Sequence, residues 1–387
     1  MFGDRYEWQK TPEYAAALSG PHAALDDGLG RWFMSYSCDM DRYGELKEIV
    51  NGATSTVGGT PADCVRGLAR NLDHLGEFAP NQKAGTELLR NVVFPLRPST
   101  PCAEQAIRDI GRPVGDCQGP KAAQLRAVVA HVAEGANAAA RAEFAAIEAR
   151  GFLVRGFNII HGVALQREDF HEMAQAGAGF IWSPRSNFEL YGRTADIASV
   201  RGEQLTMAIA PDWSPSGSSG MLAELGYAER LRQKAPFGTL TDRDLVEMAT
   251  INPATLAGLE SRIGRIAPGH VSDLIVMRRR QWTGGGPPTE AQAKALAYQA
   301  LLKQTPADLK LVVIGGVPVF GEPALMAALL PADEMRQTET IPICGQTRVI
   351  NVKAGTYART PWSVTERRLK DALASLKITL ADFVECD

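Results

Sequence analysis

The chain has 387 residues, enough for two or three domains of ordinary size or for one large barrel with a satellite. Lys and Arg number 41 and Asp and Glu 44, a formal charge of −3, which leaves no electrostatic footprint for nucleic acid or an anionic membrane. With 45% hydrophobic and 22% charged residues, the composition excludes disorder, collagen-like repeats and a dominant coiled coil.

No apolar run approaches the ~18 to 20 residues that span a bilayer, and the opening MFGDRYEWQK has neither apolar core nor cleavage signal, so a cytoplasmic protein is expected. Cys38, Cys64, Cys102, Cys117, Cys344 and Cys386 are scattered without C-x-x-C spacing and are expected as isolated thiols.

From about residue 44 to 260, short apolar runs alternate with Ala/Leu/Glu-rich stretches, the pattern of βα units around a parallel sheet. Strands are predicted at 53–58, 91–96, 125–132, 157–161, 178–183 and 205–210. Between them, helices are predicted over 136–149 and over 241–249, the second opened by Thr241 and Asp244 in capping-box spacing. His131 and His161 lie 30 positions apart, as do Trp182 and Asp212, the scale on which a (β/α)8 TIM-like barrel repeats. Six strands are two short of eight. After Gly264 the texture changes, and 273–277, 311–320 and 347–352 read as strands of a separate sheet, with Gly315-Gly316 as a hairpin turn. A last helix is predicted from Ser363, where Ser363-Val-Thr-Glu366 has capping-box spacing.

In a parallel barrel, functional side chains sit at the C-terminal ends of strands, where the βα loops form the open mouth. His131, His161 and Asp212 each end a predicted strand. Imidazoles and a carboxylate at equivalent places suit a divalent metal ion and the activation of its water. Glu134, three residues past His131, is placed to carry a proton between attacking water and leaving group, or to sit in the loop as a helix cap. Trp182, Arg185, Trp213 and Ser214 flank the mouth and either contact a small-molecule substrate or anchor the loops. His171 reads as a surface residue, and His22, His74 and His270 lack a strand-end setting. No G-x-S-x-G elbow or P-loop is present.

The ordered set His131-Val-Ala-Glu134-Gly, Ile160-His161-Gly162, Ser183-Pro-Arg-Ser-Asn187, Asp212, Met248-Ala-Thr-Ile-Asn-Pro-Ala254 and Ile263-Gly-Arg-Ile-Ala-Pro-Gly-His-Val-Ser-Asp273 resembles the amidohydrolase superfamily, in its cytosine-deaminase and chlorohydrolase-like branch. The resemblance runs from about Gly44 to Phe320. It implies an α/β fold, a (β/α)8 TIM-like barrel with a small β-sandwich formed by the C-terminal strands. The divisions it suggests are a barrel over 1–264, sandwich strands over 265–360 and a C-terminal helix and tail over 361–387. His131, His161 and Asp212 would be metal ligands, Glu134, Asp212 and His161 the catalytic groups, and Ser186 and Asn187, in the loop 183–187, would lie beside the substrate. The cofactor would be one divalent ion, zinc ahead of iron or manganese. The implied activity is hydrolysis of carbon–nitrogen bonds other than peptide bonds, by metal-activated water, in a cyclic amide, an amidine or an aminated heteroaromatic ring.

The sequence also departs from that family. Its first strand carries a His-x-His pair supplying two metal ligands, whereas no two of the six histidines here are two positions apart. The segment 43–57 resembles the family's first helix and second strand, which implies a barrel lacking its N-terminal part, as in a truncated reading frame. The rival expectation is a truncated or pseudoenzyme barrel without a competent metal site, a binding scaffold or inactive remnant. An unpaired edge in the C-terminal sheet, or a homo-oligomer covering it, would follow.

Overall fold

A computed structural model describes residues 1–30, 35–58, 68–73, 78, 88–97, 101–111, 125–279, 281, 283–352 and 360–386. The chain divides into two compact units. The first comprises Met1–Asp4, Leu72–Val271 and Arg279–Gln304, the second Arg5–Asn71, Ser272–Arg278 and Thr305–Asp387. The division is drawn differently from the expected boundary at 264, because residues 5–71 group with the C-terminal strands rather than with the barrel.

The strands, in chain order, are β1 (Ser55–Thr56), β2 (Arg70–Asn71), β3 (Leu89–Val92), β4 (Ala127–Val132), β5 (Phe157–His161), β6 (Gly179–Trp182) and β7 (Met207–Ile209), then β8 (Leu274–Met277), β9 (Leu309–Ile314), β10 (Val317–Gly321), β11 (Glu339–Ile343) and β12 (Gln346–Ile350). In the first unit β3 to β7 form one parallel sheet in the order of the sequence. Five of the six expected strands are therefore neighbours as a barrel requires. The sixth, at 53–58, is instead β1, which pairs with β2 in the second unit.

Alternation along these strands explains their near-continuous apolar runs. Val128, Ala130, Val132, Phe157, Ile159, Phe180, Trp182, Met207 and Ile209 pack together with helix residues such as Phe144, Phe170 and Leu225. The intervening Ala127, Val129, Ile181 and Ala208 build a second core with Leu89, Ala254 and Ile263. Helix Ala138–Ala149 starts two residues later than expected because Asn137, not a residue within it, is the N-cap, its Oδ1 accepting from Ala140 N at 2.9 Å. The expected capping box of Thr241 and Asp244 is present on helix Asp242–Met248.

In the second unit the antiparallel sheet runs β11-β12-β10-β9-β8. Leu46, Ile49 and Val50 of helix Ser37–Val50 share a core with Val312, Ile314, Phe320 and Ile350, while Met326 packs with Leu311, Val313 and Val349. A sandwich needs two facing sheets; among the described residues there is this sheet, with a helix on each face, and the β1–β2 pair. Gly315 and Gly316, at φ of 60° and 85°, make the expected hairpin turn. Asp273 anchors the unit, accepting from Arg70 Nη2 at 2.8 Å and from Gly315 N at 2.7 Å. The last helix, Trp362–Ser375, is capped otherwise than expected. Its N-cap is Pro361, and the carboxylate of Glu339 takes the N–H groups of Trp362 and Ser363, the latter at 3.0 Å.

The cysteines depart from expectation. Cys344 and Cys386 form a disulfide, and Cys38 is also disulfide-bonded. Cys64 and Cys117 lie outside the described residues. None of the described helices is long and apolar enough to cross a membrane.

Candidate active site

The ends of β4, β5 and β7 carry the polar residues singled out in the sequence. Ala133, His161 and Asp212 all have positive φ, at 54°, 71° and 61°. Such a conformation costs a non-glycine residue of order 1–3 kcal/mol, and three instances around one rim suit a functional site held by the sheet beneath. The strain has visible support, since Glu143, buried on helix Ala138–Ala149, accepts from Ala133 N at 2.9 Å.

His131, Glu134 and His161 converge. One ligand atom from each lies within 4.8 Å of the others, and the two imidazole centroids are 5.0 Å apart. His161 Nε2 is 3.7 Å from Glu134 Oε2 and 4.0 Å from Asp212 Oδ2. Both separations exceed a hydrogen bond. Ligands at 2.0–2.2 Å from a tetrahedral ion stand about 3.4 Å apart, so these gaps match donors that share an ion better than donors that bond each other. His161 Nε2 is buried without a hydrogen-bond partner, which fits the same reading. The donor set of two imidazoles and two carboxylates meets the three protein ligands that a catalytic zinc site uses. Asp212 reaches His161 but falls outside the compact trio, in which Glu134 stands where the sequence expectation had Asp212.

Helix Pro184–Tyr191 positions two of these groups. Asn187 and Tyr191 stand four residues apart, on one helical face. Asn187 Oδ1 lies 2.9 Å from His161 Nδ1, and Tyr191 Oη donates to Glu134 Oε1 at 2.7 Å. Asn187 Nδ2 in turn donates to Thr194 Oγ1 at 3.0 Å, which also accepts from Trp182 Nε1 at 2.8 Å.

The residues expected beside a substrate divide. Trp182 is fully buried, stacked on Phe237 with centroids 6.0 Å apart, and Asn187 is enclosed against His161, so both anchor rather than line an open mouth. Ser186 is buried too, its hydroxyl 3.3 Å from that of Ser216. Trp213 is 37% exposed, with Nε1 donating to Ser216 Oγ at 2.9 Å. The backbone N–H of Arg185 donates to Glu224 Oε1 at 3.2 Å, and Ser218 Oγ donates to the other oxygen. Glu224, fully buried, thus ties the start of helix Pro184–Tyr191, after β6, to the loop after β7. Burial pushes its carboxyl up to about 7, against the opposing hydrogen bonds from Ser218 and Arg185 and with a further upward push from Asp212.

Sequence reasoning missed Tyr191, Thr194, Glu143 and Glu224. Only Tyr191 left a signal, its four-residue spacing from Asn187. It also missed the segment Met1–Asp4. Gly3 O accepts from Ala136 N at 2.7 Å, Phe2 N donates to Leu190 O at 2.8 Å, and Asp4 bridges Gly135. A Cβ on Gly135 would stand 2.5 Å from Gly3 O, so this close approach requires glycine. Of the other histidines, His171 pairs with Glu203 on the surface as expected, and His74 lies outside the described residues.

A family model described as the Amidohydrolase family matches residues 122–319, just over half of the chain. The 5-methylthioadenosine/S-adenosylhomocysteine deaminase of Symbiobacterium thermophilum is 27% identical over 176 residues, 43% of this chain and 38% of that protein. Its counterpart from Pyrococcus furiosus is 24% identical over 202 residues, 51% of this chain and 48% of that protein. The chain spans less than half the length of these curated relatives. Among solved structures, a zinc-bound adenosine deaminase from Xanthomonas campestris matches with a TM-score of 0.42 and 20% identity, covering 52% of this chain and 48% of that one. A guanine deaminase from Bradyrhizobium japonicum matches with a TM-score of 0.42 and 16% identity, covering 53% and 52%.

Proposed function

The chain belongs to the amidohydrolase family, and from that premise we propose that it is a metal-dependent hydrolase of carbon–nitrogen bonds, acting on a small cyclic amide, amidine or aminated heteroaromatic ring. The observation that carries the reading is the buried convergence of His131, Glu134 and His161 at adjacent strand ends, with Asp212 beside them. The five parallel strands in sequence order support a complete (β/α)8 barrel as the parent architecture.

His131, His161 and Asp212 would hold one divalent ion, with Glu134 beside it and zinc favoured by the nitrogen-containing donor set. When bound, the ion supplies the Lewis acidity that makes water a nucleophile near neutral pH. The chain's own groups handle the protons. Asp212 receives a proton from the attacking water as its oxygen bonds to the sp² carbon, and Glu134, held at Oε1 by Tyr191, delivers one to the nitrogen as the C–N bond breaks. The proton left on Asp212 returns to Glu134 to close the cycle. His161 was expected both as a ligand and as a group orienting substrate. With Nδ1 on Asn187 Oδ1, its Nε2 offers a lone pair, which suits the ligand role. Trp213, exposed on the loop after Asp212, is the residue proposed to meet the substrate's ring.

The test is zinc stoichiometry followed by a panel of amines. 5-Methylthioadenosine and S-adenosylhomocysteine, taken from the names of the relatives, come first, then lactams, amidines and aminated pyrimidines and triazines. Ion uptake near one per chain with release of ammonia or amine is expected, and Glu134→Gln should then cut turnover by about 10²-fold or more. The absence of a His-x-His pair favours a second reading, a barrel that binds small molecules without a competent ion. Purified protein that takes up no zinc, with or without added metal, would decide for the second reading.

A further inference from the structure

We propose that Asn187, pinned by Thr194, is a positioning residue that fixes His161 as the Nδ1–H tautomer and so presents a bare Nε2 to the carboxylates of Glu134 and Asp212. The inference rests on the reading that an ion binds at Nε2, and it assigns a role to Asn187, expected instead beside the substrate, and to Trp182, expected either there or as a loop anchor.

A neutral imidazole has one N–H, and the hydrogen bond made by one ring nitrogen decides which nitrogen carries the proton. His161 is 1% exposed and Asn187 fully buried, so water does not compete at Nδ1. The amide oxygen of Asn187 can only accept, and at 2.9 Å it places the proton on Nδ1. Turned over, the same amide would present its NH₂, drive the proton to Nε2 and abolish the lone pair an ion needs.

Thr194 opposes that turn. Its Oγ1 accepts from Asn187 Nδ2 at 3.0 Å and from the indole N–H of Trp182 at 2.8 Å, so both lone pairs are engaged in the present arrangement. The indole is a donor only, and its ring is locked in the core against Phe237. The polarity of the chain therefore runs from a rigid core residue through a hydroxyl and an amide to the imidazole. Outer partners of this kind orient a metal-binding imidazole and change metal affinity by about 10–100-fold when removed.

The metal-free protein gives the first readout. ¹⁵N spectra of the imidazoles, recorded at about pH 8.5 where a free histidine is neutral, are expected to show His161 protonated at Nδ1, the signal being assigned by its loss in His161→Gln. Asn187→Leu removes the acceptor, and the proton is expected to move to Nε2, where the carboxylates can take it. Asn187→Asp keeps an acceptor and is expected to keep Nδ1–H. Chelator competition gives the second readout, with zinc binding about 10–100-fold weaker in Asn187→Leu and within a few-fold of wild type in Asn187→Asp. If Asn187→Leu does not fold, Thr194→Val, which frees the amide to turn, should give a tautomer mixture. An unchanged Nδ1–H in Asn187→Leu or Thr194→Val overturns the proposal, as does unchanged zinc affinity. Wild-type protein that takes up no zinc would instead sink the hydrolase reading, while the tautomer measurement still judges the role of Asn187.

Discussion

Glu134, proposed above as the proton carrier, is not left by the fold to find its own orientation. Its side chain is buried, and one oxygen accepts from Tyr191 at 2.7 Å while the other faces His161. Tyr191→Phe keeps the ring and deletes the hydroxyl, so a buried carboxylate loses a donor, a change that costs about 1–3 kcal/mol. The expected outcome is a lower urea midpoint in the metal-free protein and, in active protein, a turnover reduced by about tenfold, the rate equivalent of about 1.4 kcal/mol. Urea titration and steady-state kinetics of the variant check it, and a variant matching wild type in both would show that this bond does not hold Glu134. At this scale the sequence pointed to Glu134, the two imidazoles and Asp212, which the structure brings together, because each lies at or just past a strand end and strand ends are visible as the close of an apolar run. It could not reveal Thr194 or Glu224, whose relevance depends on how a helix or loop turns over the mouth. It left Trp182 between substrate contact and anchoring but set Ser186 and Asn187 beside the substrate, and the burial of all three favours anchoring.

Helix Met221–Arg232 braces the site through Glu224, which bonds Arg185 N on one side and Ser218 on the other. Because burial raises this carboxyl from 4.5 to about 7, the folded chain holds its proton over a range where the unfolded chain has lost it. Below about pH 4 both states are protonated and the group costs nothing. As pH rises from about 4.5 toward 7 the unfolded state ionises first and stability falls; above 7 the loss is complete, at about 3 kcal/mol. Glu224→Gln can accept from Arg185 and meet Ser218 without ionising. Its stability relative to wild type is therefore expected to rise between pH 5 and pH 8, as read by urea denaturation at each pH. A difference that does not change with pH would remove Glu224 as the source. The comparison must be by difference, since burial also pushes Glu48 up to about 7 in the other unit. Elements were legible where both faces are covered, as in β4 to β7. β11 escaped notice because Pro342 interrupts its pattern, and a proline is tolerated there since β11 lies at the edge of its sheet and pairs with β12 alone.

At the scale of the molecule, residues 5–71 look like barrel in the sequence because helix Ser37–Val50 and β1 follow a βα pattern, yet they complete the second unit's core. The C-terminal tail belongs to that core as well. Phe383 stacks on Tyr43 at 5.2 Å and lies 4.8 Å from Trp362, Asn51 Nδ2 donates to Phe383 O at 2.8 Å, and Tyr43 Oη donates to Ala381 O at 2.9 Å. Burial, with Asp382 nearby, pushes the Tyr43 hydroxyl up to about 12. The Cys344–Cys386 disulfide closes a span of 42 residues over this arrangement, and a loop of that length restricts the unfolded chain by about 4 kcal/mol. Disulfides persist in oxidising compartments and are reduced in the cytosol of most organisms, so a cytoplasmic protein would carry this pair as thiols. Mild reduction is therefore expected to speed hydrogen exchange in residues 378–386 and in helix Ser37–Val50, and to bring Tyr43 back toward an ordinary phenol titration near 10. Protection at β4 to β7, in the unit that bears the candidate site, should stay as it was. Exchange in the tail that is indifferent to reduction would mean that the aromatic stack and the two backbone bonds hold it without the cross-link, and equal loosening of β4 to β7 would mean that the tail stabilises the whole chain.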